Sequence, residues 1–308
     1  MMSKRTGVPS TTSLLALLTA CVMPPTDATP PVHAVAMQTN TEGIVLRSQA
    51  DADAACEGHP VRAPTHLTIT GAGIRNLDGL HCIASVEHGL SIHDAPHLER
   101  LDGLDGTTDV GGLSLAHLPM LQDTGGLAAL ARVSGDIGIW DVPSLPALSL
   151  PALLWVEGDI LVQDAPSLSQ VDDLRALGGL QGGLLLHGEG VADLSGLEHL
   201  GRVLGAVHLT GLRGPSALDG LGRLADVGTL HIEGAEGVTD VGGLAGLRRV
   251  RGDLILEDLP DLHDLDGLHG LRQVDGAVIL AGLPSLPAGE VDSLRDALAT
   301  TSIVVVVD

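Results

Sequence analysis

His208 and His231 stand 23 residues apart, and Glu233 follows two residues after the second. Imidazole nitrogens and carboxylate oxygens are ligands that a borderline divalent cation takes, but a metal site needs at least three of them to converge. His187 and Trp140 join them as candidates. An imidazole on an acidic surface titrates near neutral pH, and an indole can stack against a sugar ring or anchor a protein partner. Elsewhere the sequence contains no G-x-S-x-G, H-E-x-x-H, P-loop or G-x-G-x-x-G. No catalytic residue and no cofactor is therefore expected, and the chain is read as a non-enzyme.

What these residues can do depends on the elements that hold them. From residue 67 an apolar-x-apolar strand core recurs, its first members being Leu67, Leu90, Leu113, Ile137, Ile160, Leu184, Val207, Leu230, Leu254 and Val278. Steps of 23 or 24 residues are the signature of a solenoid, one rung per repeat. The fold class is a mainly β repeat solenoid of about ten rungs. Side chains alternate along a strand, so the residue after each first member faces outward. That column holds Thr68, Ser91, Ser114, Gly138, Leu161, Leu185, His208, His231, Ile255 and Ile279, and the column two further on holds Trp140, His187, Glu233 and Glu257. Parallel strands lie ~4.8 Å apart, which makes His208 and His231 neighbours. Trp140, His187, His208, His231 and Glu233 are the candidate binding face, with the histidines exposed and no metal expected.

The rest of each rung is turn chemistry. Gly stands two residues before the strand core in eight rungs, where a bend needs freedom from a Cβ. Asp or Gly follows four residues after the first strand member, and Pro comes two later in six rungs. A three-residue beat then runs through Leu262, Leu265, Leu268, Leu271 and Val274, matching short 3₁₀-like turns and not a long α-helix. The adhesive-looking tripeptide Arg251-Gly252-Asp253 falls on these columns: Gly252 in the bend, and Asp253 beside Asp136 and Asp159. It is read as a coincidence of register. "DLDGL" at 264–268 superficially resembles a calcium loop, but Leu265 and Leu268 fall on core columns.

"GDLILEDLPDLHDLDGLHGLRQVDG", 252–276, resembles a rung of the receptor L domain of the leucine-rich-repeat superfamily. The resemblance covers 56–308 and implies a right-handed parallel β-helix that binds protein ligands or serves as a structural module. More rungs than a typical receptor L domain, and Asp or Gly where such repeats often carry Asn, leave the ligand open. Polysaccharide lyases and hydrolases also use right-handed β-helices, which makes a glycan-active enzyme one alternative. Steps of 23 or 24 residues leave no room for the large loops that build their clefts. A cell-envelope spacer without a specific ligand is the other alternative.

The first twenty residues read as an export signal: Lys4 and Arg5, then the apolar Leu14–Leu18, then small residues. Leu18-Thr19-Ala20-Cys21 matches the lipobox of bacterial lipoproteins. The match implies cleavage before Cys21 and lipid attachment to it, hence a membrane partner. With Val22 and no Asp after Cys21, it also implies the outer membrane or surface of a Gram-negative cell. Several acyl chains anchor a protein stably where one is marginal. Removing 1–20 takes away two cations and no acid, so the formal charge of −23 becomes −25. Such a surface excludes nucleic acid as a partner. Residues 21–55 are read as a Pro-, Thr- and Ala-rich tether. Residues 56–66 form an N-terminal cap, and 287–308 a C-terminal cap with a helix and a final strand. The 308-residue chain has no Phe or Tyr, and a core of Leu, Val, Ile and Ala suits thin repeated layers. Cys56 and Cys82, 26 residues apart in an exported chain, are expected to form a disulfide. A monomer is expected.

Overall fold

The structure, a computed structural model, describes residues 43–57, 64–188, 191–214, 218–298 and 303–306. The expected signal segment, Cys21 and the first half of the expected tether lie outside these residues. No described helix is long and apolar enough to cross a membrane.

The chain is mainly β. A 19-stranded sheet, in which the described strands pair in parallel, joins nearly every strand, with one additional pair formed by Ala147–Ser149 and Gln170–Asp173. Leu67, Leu90, Leu113, Ile137, Ile160, Leu184, Val207, Leu230, Leu254 and Val278 stack in register. A constant step lets each strand pair with the equivalent residues of the previous coil, so the backbone ladder is satisfied across layers. The inward residues of each strand are buried, as are Leu262, Leu265, Leu268, Leu271 and Val274 on the three-residue beat. Single 3₁₀ turns fall at Asp78–Leu80, Gly125–Leu127, Ser195–Leu197, Asp219–Leu221, Gly242–Leu244 and Asp266–Leu268. Acids two residues upstream start four of them: Asp123, Asp193, Asp240 and Asp264 accept the N–H of Gly125, Ser195, Gly242 and Asp266.

In the slot four residues after the first strand member, nine of the ten rungs turn through positive-φ backbone, Gly188 being the exception. Asp94, Asp141, Asp164 and Asp258 have φ near +50°, and Gly234 and Gly282 have φ +62°. The same slot holds His117 at φ 52°, a residue type that the sequence pattern did not single out. The glycine column before the strands has a different cause from the one expected. None of its members has positive φ. A Cβ on Gly111 would instead lie 2.1 Å from the His88 carbonyl oxygen, and one on Gly205 would lie 2.6 Å from Gly182. Glycine is needed there because successive coils touch backbone to backbone.

Each residue of the adhesive-looking tripeptide holds neighbouring coils together. Arg251 donates from Nε and Nη2 to the two carboxylate oxygens of Asp226, at 2.9 and 2.6 Å. These hydrogen bonds hold the Asp226 carboxyl below its ordinary value. A Cβ on Gly252 would meet Thr229 Oγ1 at 2.5 Å. Asp253 Oδ1 accepts the Ala277 N–H at 2.7 Å, as Asp136 Oδ1 accepts that of Asp159 at 2.8 Å.

The ends refine the expected boundaries. Within the span expected to be tether up to residue 55, Ile44–Leu46 is a strand paired with Leu67–Ile69, and Gln49–Ala54 is a helix. Ile44 precedes Leu67 by 23 residues, one further repeat that a three-residue strand made hard to see. Ser48 Oγ accepts the Asp51 N–H while the Asp51 carboxylate accepts the Ser48 N–H, a capping box that starts the helix. Cys56 and Cys82 are disulfide-bonded, with Cα atoms 5.8 Å apart. At the other end, Ala288–Ala297 is a helix that buries Val291 and Leu294, with Leu298 buried just after it. Glu290 of this helix accepts the Leu265 N–H, and Ile303–Val306 adds a strand beside Val278–Ala281.

Candidate functional site

The outward columns form one continuous face. Thr68, Ser91, Ser114, Gly138, Leu161, Leu185, His208, His231, Ile255 and Ile279 are successive register partners. Its first half carries an open groove of about 550 Å³ lined by Thr68, Ser91, Ser114, Trp140 and Leu161, with His66, His88, Asp136 and Asp159 along its edge. Small side chains on the early strands leave the trough, and Trp140 supplies its apolar wall. The indole lies back over Gly138, where a Cβ would come 2.2 Å from ring atom Cη2. Gly138 therefore positions the ring. The hydroxyl column and the two histidines at the edge were not picked out as a site from sequence, because each belongs to a different repeat and the trough exists only after stacking.

His187, His208, His231 and Glu233 meet in the second half of the face, and Trp140 lies two strands away from His187. The rings of His208 and His231 stack with centroids 4.3 Å apart and an interplanar angle of 6°. His187 meets His208 edge-on at 4.7 Å, and its Nδ1 lies 3.3 Å from Thr210 Oγ1. Glu233 Oε2 is 3.7 Å from His208 Nε2 and 3.8 Å from His231 Nε2. Glu257, which the sequence reading left out of the site, brings Oε2 to 3.7 Å from His231 Nε2.

The expectation of exposed histidines titrating near neutral pH is corrected here. His208 is only 8% exposed. Burial, then the neighbouring His231 and His187, push its pKa down to about 4. Burial also lowers His187 and His231, against the opposing pull of the Glu233 charge. Strand spacing is the cause: rings on adjacent parallel strands stack at van der Waals distance and leave no water between them. The acid–imidazole contacts are thus not ion pairs at pH 7, since desolvation outweighs the carboxylate attraction. Glu257 is shifted upward, by burial first and then by the charges of Glu233 and Asp258.

A second group of possible ligands, Asp264, Asp266 and Glu290, lies on the opposite side of the coil. Asp264 accepts the Asp266 N–H and so caps its own 3₁₀ turn, while Glu290 accepts the Leu265 N–H and ties the C-terminal helix to that turn. Trp155 is exposed and pairs in register with Arg132. Comparison with known proteins finds no family model that matches the chain and no curated protein that matches it.

Proposed function

We propose that this chain is a lipid-anchored cell-envelope protein, a non-enzymatic scaffold whose sheet face binds a partner. In this reading the coil is a right-handed β-helix of about ten full rungs, of the receptor L-domain kind, anchored through Cys21 to the outer membrane or cell surface. The groove beside Trp140 carries the binding reading. Its volume falls in the range of ligand sites, and it joins an apolar ring to hydroxyl and imidazole edges. That mixture favours a glycan over a flat protein surface, because a sugar ring offers an apolar face for the indole and hydroxyls for Thr68, Ser91 and Ser114.

The test is a glycan and protein array probed with the folded portion, 43–308, alongside Trp140→Ala. The expected result is a glycan ligand whose affinity falls at least tenfold in the variant, about 1.4 kcal/mol. Unchanged affinity, with circular dichroism intact, would remove the groove as the site. An array with no ligand at all would leave the spacer reading in its place.

The anchor is tested separately. Cys21→Ser is expected to abolish palmitate labelling and to release the protein from the membrane fraction. Labelling of the variant as strong as that of the parent would exclude lipidation at Cys21.

A further inference from the structure

We propose that His208, His231 and Glu233 form a binding site for a divalent transition-metal ion of the zinc class, with Glu257 as a fourth ligand within reach. One ligand atom from each of the three residues lies within 4.8 Å of the others. The separations from Glu233 Oε2 to the two Nε2 atoms are 3.7 and 3.8 Å. A tetrahedral ion with ligand bonds of ~2.0–2.1 Å sets its ligand atoms ~3.4 Å apart, so each nitrogen–oxygen pair needs to close by only a few tenths of an ångström, while the two nitrogens, within 4.8 Å of each other on stacked rings, come together through a tilt of the imidazoles.

An independent observation points to the same place. Both ring nitrogens of His208 and Nε2 of His231 are buried without a hydrogen-bond partner. A buried polar atom left unpartnered is costly and uncommon in folded proteins. A cation would use one nitrogen of each ring. The two glutamates would balance the ion's charge.

Sheet register makes the arrangement firm. His208 pairs with His231 and Glu233 with Glu257 along the backbone ladder, so the ligands stand on three adjacent strands and not on loops. One adjustment is required: parallel rings cannot aim two lone pairs at one point, so binding must tilt the stacked imidazoles apart. With His208, His231 and Glu233 as ligands, the fourth position is left for Glu257, for water or for a partner's group. The site stands whether or not the Trp140 groove binds a glycan.

The probe is zinc ion, titrated calorimetrically at pH 7 into the full chain after chelator treatment. The chain has 14 histidines, so His263→Ala serves as a control for surface binding. One zinc per chain with a micromolar or lower Kd is expected for the parent and the control. Glu233→Gln keeps the side-chain shape at a half-exposed position and is expected to weaken binding at least tenfold, while His208→Ala abolishes it. Cobalt(II) provides a second readout: d–d absorption of a tetrahedral nitrogen–oxygen site in the parent, lost in Glu233→Gln. The inference is overturned if the parent binds no zinc, or if Glu233→Gln, folded by circular dichroism, keeps both the affinity and the cobalt spectrum.

Discussion

Leu184→Asp is expected to cost ~4 kcal/mol or more and to unfold the middle of the coil. Leu184 is fully buried and stacks in register between Ile160 and Val207. The substitution removes the burial of a leucine, about 1.5–3 kcal/mol, and places a carboxyl group in its stead. The buried polar side chains among the described residues are Thr107, Thr124 and His208, so no internal cation can pair with it. Each layer contacts only its neighbours, and the damage should therefore remain local. Urea unfolding should become biphasic, with amide exchange accelerated over 160–210 and little changed at either end. Leu185→Asp is the control. One residue on, alternation turns the side chain to the half-exposed outer face, where a carboxylate stays hydrated and the loss should be under ~1 kcal/mol. Equal losses from the two variants would contradict the inward and outward assignment of the columns.

The same alternation explains what was legible in the sequence. Leu184 and its equivalents declare themselves because the step is regular and the inward positions are apolar. The left-handed slot is visible at Asp94 and Asp141, since Asp and Gly tolerate that backbone, and invisible at His117, which carries no such signal. Contacts between coils are the part that stays hidden. The bend glycines are recognisable as a column, but their cause, atoms of the neighbouring coil that any Cβ would crowd, such as the His88 carbonyl oxygen 2.1 Å from one on Gly111, requires the stack to be built. Arg251 finds Asp226 from 25 residues away, in a column whose other members differ. The histidines show the same limit: alternation places His208 on the outer face, but only the packing of His187 and His231 against it reveals that it is buried and neutral. Register predicts which residues are neighbours, and packing decides how much water remains between them.

Removing the disulfide should act at one end only. Cys56 and Cys82 enclose a separation of 26 residues, and loop entropy assigns such a closure about 3.5 kcal/mol. The cap it secures has little else to hold it. The strand Ile44–Leu46 is three residues long, and the six-residue helix after it contributes one buried residue, Ala52. Gln49 adds hydrogen bonds to Arg75 and Asn76, and Gly79 lets the helix sit directly on the first 3₁₀ turn, where a Cβ would lie 2.1 Å from the Ala52 carbonyl oxygen. Short isolated helices are marginal in water, so without the covalent link the cap should detach in a transition of its own. Cys56→Ala with Cys82→Ala is expected to speed amide exchange across 44–54 by two orders of magnitude or more, a factor of 100 being about 2.7 kcal/mol, while the strand Val278–Ala281 keeps its protection. Detachment would also bare the edge of the strand His66–Thr70, which Ile44–Leu46 otherwise covers, and an uncovered parallel edge invites association. The double variant should therefore self-associate at concentrations where the parent stays dispersed. Unchanged exchange over 44–54 would mean that the cap is held by its packing and hydrogen bonds, with the disulfide contributing nothing measurable.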